Sequence, residues 1–177
     1  MSMAWRIGFC GLLSLVLLGG VGAKERGEVA PPNPAGPQEA EVLGVIIDQK
    51  SSQPLVILQG KRDKRNLAMV IGHAEANGIA LPLHGITPPR PLTHDLFLTL
   101  FGRLKVTVTR VVITDLRDDI YYATVHLNAG GTEMTLDSRP SDAIALAIRA
   151  KVPVLVEDRV FDKAGTSPQR PGVTPHF

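Results

Sequence analysis

The segment that most limits the fold is Pro140-Ser141-Asp142-Ala143-Ile144-Ala145-Leu146-Ala147-Ile148, whose middle reads AIALAI without a polar residue. Proline suits the first turn of a helix, because its missing N–H is one that a helix start leaves unbonded anyway. The helix is expected to continue from Ser141 to Ala150. A helix that is apolar nearly all round has no face to give to water, so other elements must cover it. The chain therefore needs a sheet broad enough to bury this helix.

Strands for that sheet precede and follow it. Glu41 to Asp48 (EVLGVIID) and Pro54 to Gln59 (PLVILQ) flank the turn-like Gln49 to Ser52, and Asn66 to Ile71 makes a third strand. Gly72 to Leu83 is expected to be helical, with Ala74, Ile79 and Leu83 buried, although Gly78 and Pro82 weaken it. Gly85 to Pro91 (GITPPRP) cannot be regular, since its prolines remove donors and fix φ. Thr93 suits the N-cap of a second helix, His94 to Leu104, with Leu96, Phe97, Leu100 and Phe101 on one stripe. Lys105 to Thr114 begins with the period-two alternation of a half-buried strand. Asp115 to Asp119 is expected to turn it into Ile120 to Leu127, and Gly130-Gly131 into Thr132 to Leu136. After the apolar helix come the short strand Val152 to Val156 and a last helical turn, Glu157 to Lys163. The order βββααβββαβα predicts a single α+β domain, a mainly antiparallel or mixed sheet with helices packed on it.

The ends have a different character. Ile7 to Ala23 carries no charge, follows Arg6, and turns small at Val21-Gly22-Ala23 before the charged Lys24-Glu25-Arg26. This is the pattern of a signal peptide, or of an uncleaved membrane anchor. The expected organisation is a signal peptide or anchor at 1–23 and a Pro/Gly-rich linker at 24–39. The folded domain takes 40–165 and a disordered tail 166–177. The product is expected to be exported, periplasmic or secreted, and to touch a membrane only through an uncleaved N-terminal segment. Cys10 and Trp5, each the sole residue of its type, lie within 1–23. The remaining chain can have no thiol nucleophile, zinc thiolate site or disulfide. Of 19 Lys and Arg against 17 Asp and Glu, only Arg6 lies in that leader, so the domain is almost neutral. Such balance gives no reason by itself to expect nucleic acid.

Four ordered blocks resemble the bifunctional nuclease domain family. They are Ile71-Gly72 with Glu75-Ala76, then Pro88 to Leu96 (PPRPLTHDL), then Val111 to Arg117 (VVITDLR). The last is Ser138 to Ala147 (SRPSDAIALA), followed by Val152-Pro153-Val154 and Val156. At the hairpin tip Asp118-Asp119 stands where that family commonly has Gly. The resemblance implies a homodimer-prone α+β domain and, for some members, hydrolysis of both DNA and RNA.

Phosphodiester cleavage needs an activated water and positive charge near the phosphorane oxygens. One candidate group is Asp137, Arg139, Ser141 and Asp142 at the start of the third helix. A helix N-terminus offers N–H groups to an anion, Arg139 and Ser141 suit phosphate binding, and Asp137 and Asp142 suit Mg²⁺ or Mn²⁺. The same residues also suit plain helix capping. The other group is Arg90, His94 and Asp95, with His94 as a general base and Arg90 on the phosphate. Thr93-His94-Asp95 also reads as an ordinary helix start. Glu75 is a further carboxylate, or a solvated one. The acidic turn Asp115, Asp118, Asp119 suits a cation or simply turn geometry, and Lys61 to Arg65 a phosphate backbone or solvent. Tyr121 and Tyr122 are adjacent on a strand and so face opposite ways, which leaves little to stack bases.

Asp137, Asp142, His94 and Asp95 are thus the expected catalytic residues, and Arg90, Arg139 and Ser141 the substrate-binding ones. Mg²⁺ or Mn²⁺ is the expected cofactor and no organic cofactor is expected. The expected function is an exported nuclease of low sequence specificity, with DNA or RNA and a second copy of the chain as partners. The rival is a non-catalytic dimeric envelope domain that binds a protein or small ligand. The two candidate groups are expected to touch, directly or across a dimer interface.

Overall fold

A computed structural model describes residues 36–166. The expected leader, nearly all of the expected linker, and the tail after residue 166 lie outside the described residues. Seven strands and four helices follow in the order expected: β1 (Gln38–Ile47), β2 (Pro54–Gly60), β3 (Asn66–Val70), α1 (His73–Leu83), α2 (Thr93–Arg103), β4 (Val106–Arg117), β5 (Ile120–Ala129), β6 (Thr132–Ser138), α3 (Pro140–Ala150), β7 (Val154–Val156) and α4 (Asp158–Thr166). The strands form one sheet in the order β3-β2-β1-β7-β4-β5-β6. Every neighbouring pair is antiparallel except β4 and β7. The domain is α+β with a mixed sheet.

The place of β7 explains the apolar helix. Two parallel strands cannot be joined by a tight turn, so the chain needs a crossover. Here the chain runs out to the β6 edge and returns through α3 to insert β7 between β1 and β4. The helix is thereby laid over the middle of the sheet, and Ala143 to Ala147 are all buried. Alternate residues of the strands share one buried core with it, among them Val56, Leu58, Val111, Ile113, Val125 and Val156. Full burial of each large apolar side chain contributes about 1.5–3 kcal/mol.

Several local expectations are corrected. β1 begins at Gln38 rather than Glu41, because Gln38 to Ala40 pair with β7. In α1 the buried residues are Ala76, Gly78 and Ile79, while Ala74 is exposed and Leu83 half-buried. Thr93 does not cap α2 but is its first residue; the start is closed by Asp95, whose Oδ2 accepts the Leu92 N–H at 2.8 Å. The β4–β5 turn is two residues, not five: Asp118 and Asp119 both take positive φ, 51° and 62°. That conformation matches the twist of a two-residue hairpin, and aspartate tolerates it better than most residues. Asp115 therefore lies in β4, bound by Lys163 at 2.6 Å. The α2 stripe is not buried as a unit, since Leu96, Phe97 and Leu100 are exposed while Phe101 packs on the core. Tyr121 and Tyr122 do diverge: Tyr121 packs on the core and Tyr122 lies under Arg117 at 4.1 Å.

Lys61, Arg62 and Lys64 of the basic run are exposed, as expected of a loop, but its two arginines are engaged in ion pairs. Arg62 and Arg65 both bind Asp158, a buried carboxylate on α4 that also accepts from Gln38 Nε2 at 3.1 Å. Arg65 further binds Asp63 and Asp162 and lies over the Phe161 ring. Burial alone would raise the Asp63 carboxyl, but the Arg65 amide, Gln38 and the Arg65 guanidinium together bring it down to about 2. This network fastens α4 to the β2–β3 loop. Among the described residues no helix is long and apolar enough to cross a membrane.

Candidate active site

Three helices bring four side chains into one chain of contacts. His94 stands in the first turn of α2 and Asp142 in the first turn of α3, with His94 Nε2 3.1 Å from Asp142 Oδ1. The other oxygen of Asp142 accepts Arg139 Nε at 2.8 Å, and Arg139 Nη1 reaches Glu75 Oε1 of α1 at 2.9 Å. The His94 ring is only 12% exposed, whereas Arg139 at the mouth is 57% exposed. Gly78 makes the close approach of α1 feasible: a Cβ there would lie 3.0 Å from His94 Cε1 and 3.3 Å from Nδ1. The glycine that weakens α1 by roughly 1 kcal/mol against alanine is thus the floor on which the imidazole rests.

Charge in this group is well defined. The hydrogen bond from His94 lowers the Asp142 carboxyl most; burial opposes it, and Arg139 adds to the lowering, leaving it at about 2. Asp142 is therefore ionised at neutral pH and accepts from both neighbours. Arg139 is held protonated even more firmly than an ordinary arginine, first by its hydrogen bond to Asp142. The α3 N-terminus itself offers less than expected. Pro140 has no N–H, and those of Asp142 and Ala143 both point to the Arg139 carbonyl at 3.1 Å. Positive charge for an anion comes here from Arg139 rather than from the helix amides.

A second ion pair lies alongside. Asp95 Oδ1 accepts Arg149 Nε at 2.7 Å, and Arg149 Nη1 donates to the carbonyls of Gly78 at 2.6 Å and Ala145 at 3.0 Å. Arg149 is 7% exposed. Burial opposes ionisation of Asp95, yet the Leu92 N–H and Arg149 outweigh it, and its carboxyl sits below the usual value. This pair forms the floor of an open cleft whose walls come from Pro82 near the end of α1 and from the irregular segment after it.

The Bifunctional nuclease domain family matches residues 56–169, most of the described domain and all the residues just named. The chain belongs to this family. An uncharacterized protein of Mycobacterium tuberculosis is 38% identical over 127 residues, covering 72% of this chain and 76% of the relative. Bifunctional nuclease 1 of Oryza sativa subsp. japonica is 35% identical over 92 residues, covering 50% of this chain and 28% of the relative. Bifunctional nuclease 2 of Arabidopsis thaliana is 26% identical over 160 residues, 72% of this chain and 49% of the relative. The match with the plant nucleases thus takes in less than half of their length.

Within this family domain, the two candidate groups do touch, through His94 and Asp142. Arg139 and Glu75 join them, and Asp95 takes the neighbouring pair. Ser141 is buried in the first turn of α3. Arg90 is exposed in the irregular segment before α2 and enters no ion pair among the described residues. Asp137 stands on the exposed β6, across from Thr124, outside the network. Among the described residues no three His, Cys, Asp or Glu side chains gather as metal ligands. Asp142 already accepts from His94 and Arg139, and Asp137, the other carboxylate expected to hold Mg²⁺ or Mn²⁺, stands outside this network on β6. Arg149 and Gly78 belong to the site without being among the residues expected there. The signal for Arg149 was present as the lone cation near the end of an otherwise apolar helix.

Proposed function

We propose that this chain is a phosphodiester hydrolase acting on DNA, RNA or both with low sequence specificity, exported by its N-terminal segment and working as a homodimer. The observation that carries the reading is the Glu75–Arg139–Asp142–His94 chain. Asp142 holds the imidazole by Nε2 and stabilises positive charge on it. Nδ1, which has no hydrogen-bond partner among the described residues, is the nitrogen that takes a proton from the attacking water. Arg139 uses Nε and Nη1 on carboxylates, so its Nη2 remains for a non-bridging phosphate oxygen as charge builds there. Glu75 and Asp142 fix the guanidinium in place for this role. The exposed apolar side chains Leu96, Phe97 and Leu100 on α2, with Leu104 just after it, support burial against a second copy.

The full chain incubated with plasmid DNA and single-stranded RNA tests the reading, with Mg²⁺, Mn²⁺ and EDTA separating metal-assisted from metal-free cleavage. His94→Ala is expected to lower cleavage by about 100-fold or more, the usual loss for a general base. Arg139→Ala is expected to do the same with the fold intact. Wild-type rates in both variants would remove the reading. A folded dimer that cleaves neither nucleic acid would favour the non-catalytic binding domain.

A further inference from the structure

The cleft over the second ion pair begins one residue along α2 from His94. Its walls are Pro82, Ile86, Pro88 and Pro91, its floor Asp95 and Arg149, and its volume about 380 Å³. Ligand sites run from roughly 300 to 1,000 Å³, so this one has room for a single heterocycle with part of its sugar. Proline rings are fixed and cannot collapse into the space. They give flat apolar walls suited to a planar ring.

The floor selects by hydrogen bonding. Ionised Asp95 is acceptor-only, and each of its oxygens holds one protein donor, Arg149 Nε on one and the Leu92 N–H on the other. A carboxylate has about four lone-pair sites, so each oxygen keeps one more. Arg149 spends Nε on Asp95 and Nη1 on two carbonyls, and its Nη2 remains a donor. One donor beside two acceptors complements one acceptor beside two donors. Guanine presents that edge in O6, N1–H and the N2 amino group. Uracil and thymine set acceptors on both sides of their N–H, and cytosine presents the reverse of guanine. Arg149 lies ten residues from Arg139, roughly 15 Å along α3. Arg139 bonds forward to Asp142 and Arg149 back to the Ala145 carbonyl, so the two guanidinium groups stand closer than that and one nucleotide bridges the cleft and the Arg139 phosphate position.

We propose that this cleft is a nucleobase subsite that prefers guanine, next to the phosphate bound at Arg139. The inference rests on the hydrolase reading for its nucleic-acid substrate, and a preference at one base is compatible with low sequence specificity. It is tested with the full chain by calorimetric binding of GMP and UMP, and by mapping cut positions on a mixed-sequence RNA. GMP is expected to bind at least tenfold more tightly than UMP, and cuts are expected to cluster beside guanine. Ile86 is exposed at the rim, so Ile86→Trp is expected to fill the cleft and weaken GMP at least tenfold without changing Tm. Equal binding of the two nucleotides, or GMP affinity unmoved by Ile86→Trp at unchanged Tm, would overturn the inference. Unselective cutting with equal binding refutes the subsite and leaves the hydrolase standing. Guanine-selective binding without cleavage supports the subsite and refutes the hydrolase.

Discussion

α2 and α3 lie against one another over the same sheet, and each is eleven residues long. α3 buries Pro140, Ser141 and Ala143 to Ala147, while α2 buries no residue fully. The contrast is not one of apolar content, since α2 carries the larger apolar side chains: Leu96, Phe97, Leu98, Leu100 and Phe101. Alanines at 143, 145 and 147 let α3 press close to the strands below and to α1 and α2 beside it, so close packing covers it on every side. The bulky side chains of α2 spread over too wide an arc for one sheet to cover. Leu98 and Phe101 reach the core, and the rest point outward. An apolar pattern says that a surface needs cover; side-chain size decides whether the same chain can supply it.

The strongest way to break this contrast is to cut into α3. Ile144 is 0% exposed among central strands and helices. Ile144→Ala is expected to destabilise the domain by about 2–5 kcal/mol, from lost transfer energy and the cavity left behind. Denaturant titration with an unchanged m-value measures it. A loss under about 1 kcal/mol would mean that α3 is not the centre of the core.

The seam between the two helices can be probed with acid. The Asp142 carboxyl drops from its ordinary 3.8 to about 2 in the folded domain. A depressed carboxyl stabilises the fold above its unfolded value, and that stability is lost as pH falls through the folded value. Stability should therefore decline between about pH 4 and pH 2. Asp63 contributes in the same window, so the informative quantity is the difference from Asp142→Asn. That variant should show a shallower decline, by about 1 kcal/mol once solvent screening at this partly exposed site is allowed for. Identical acid profiles would mean that the His94–Asp142–Arg139 contacts do not tie α2 to α3.

Much of this was legible in the sequence because the signals were local. Pro140 followed by AIALAI specified a buried helix, and the order of strands and helices specified α+β. The two helix starts with paired Arg and Asp marked the neighbourhood of the site, and His94 and Asp142 do meet. What escaped depends on orientation and distance along the chain. Arg149 becomes a site residue only because α2 brings Asp95 to it and α1 brings the Gly78 carbonyl. Gly78 read as a flaw in α1, since nothing in its own segment shows that an imidazole from α2 lies on it. The two-residue turn was hidden because aspartate at both positions is a weaker signal for positive φ than Asn-Gly. The basic loop gave no sign of Asp158, which lies far along the chain and binds both of its arginines.

The smallest expected effect on stability comes from the outward face of α2, and it sharpens the comparison most. Leu96 is 58% exposed and Leu100 50%. Removing an apolar side chain that is already in water creates no cavity, so each change should stay within about 0.5 kcal/mol of wild type. The double variant Leu96→Ser, Leu100→Ser is therefore expected to unfold at nearly the wild-type denaturant midpoint when the protein is dilute enough to be monomeric. Raising the concentration should separate the two proteins. A second copy that buries the α2 stripe stabilises the wild type by mass action, so its midpoint should climb with concentration. Sedimentation should show a dimer where the variant remains a monomer. A concentration-independent midpoint for both would leave the stripe without a partner copy. A large loss in the dilute variant would instead mean that Leu96 and Leu100 pack within one chain, and that α2 and α3 differ less than their exposures imply.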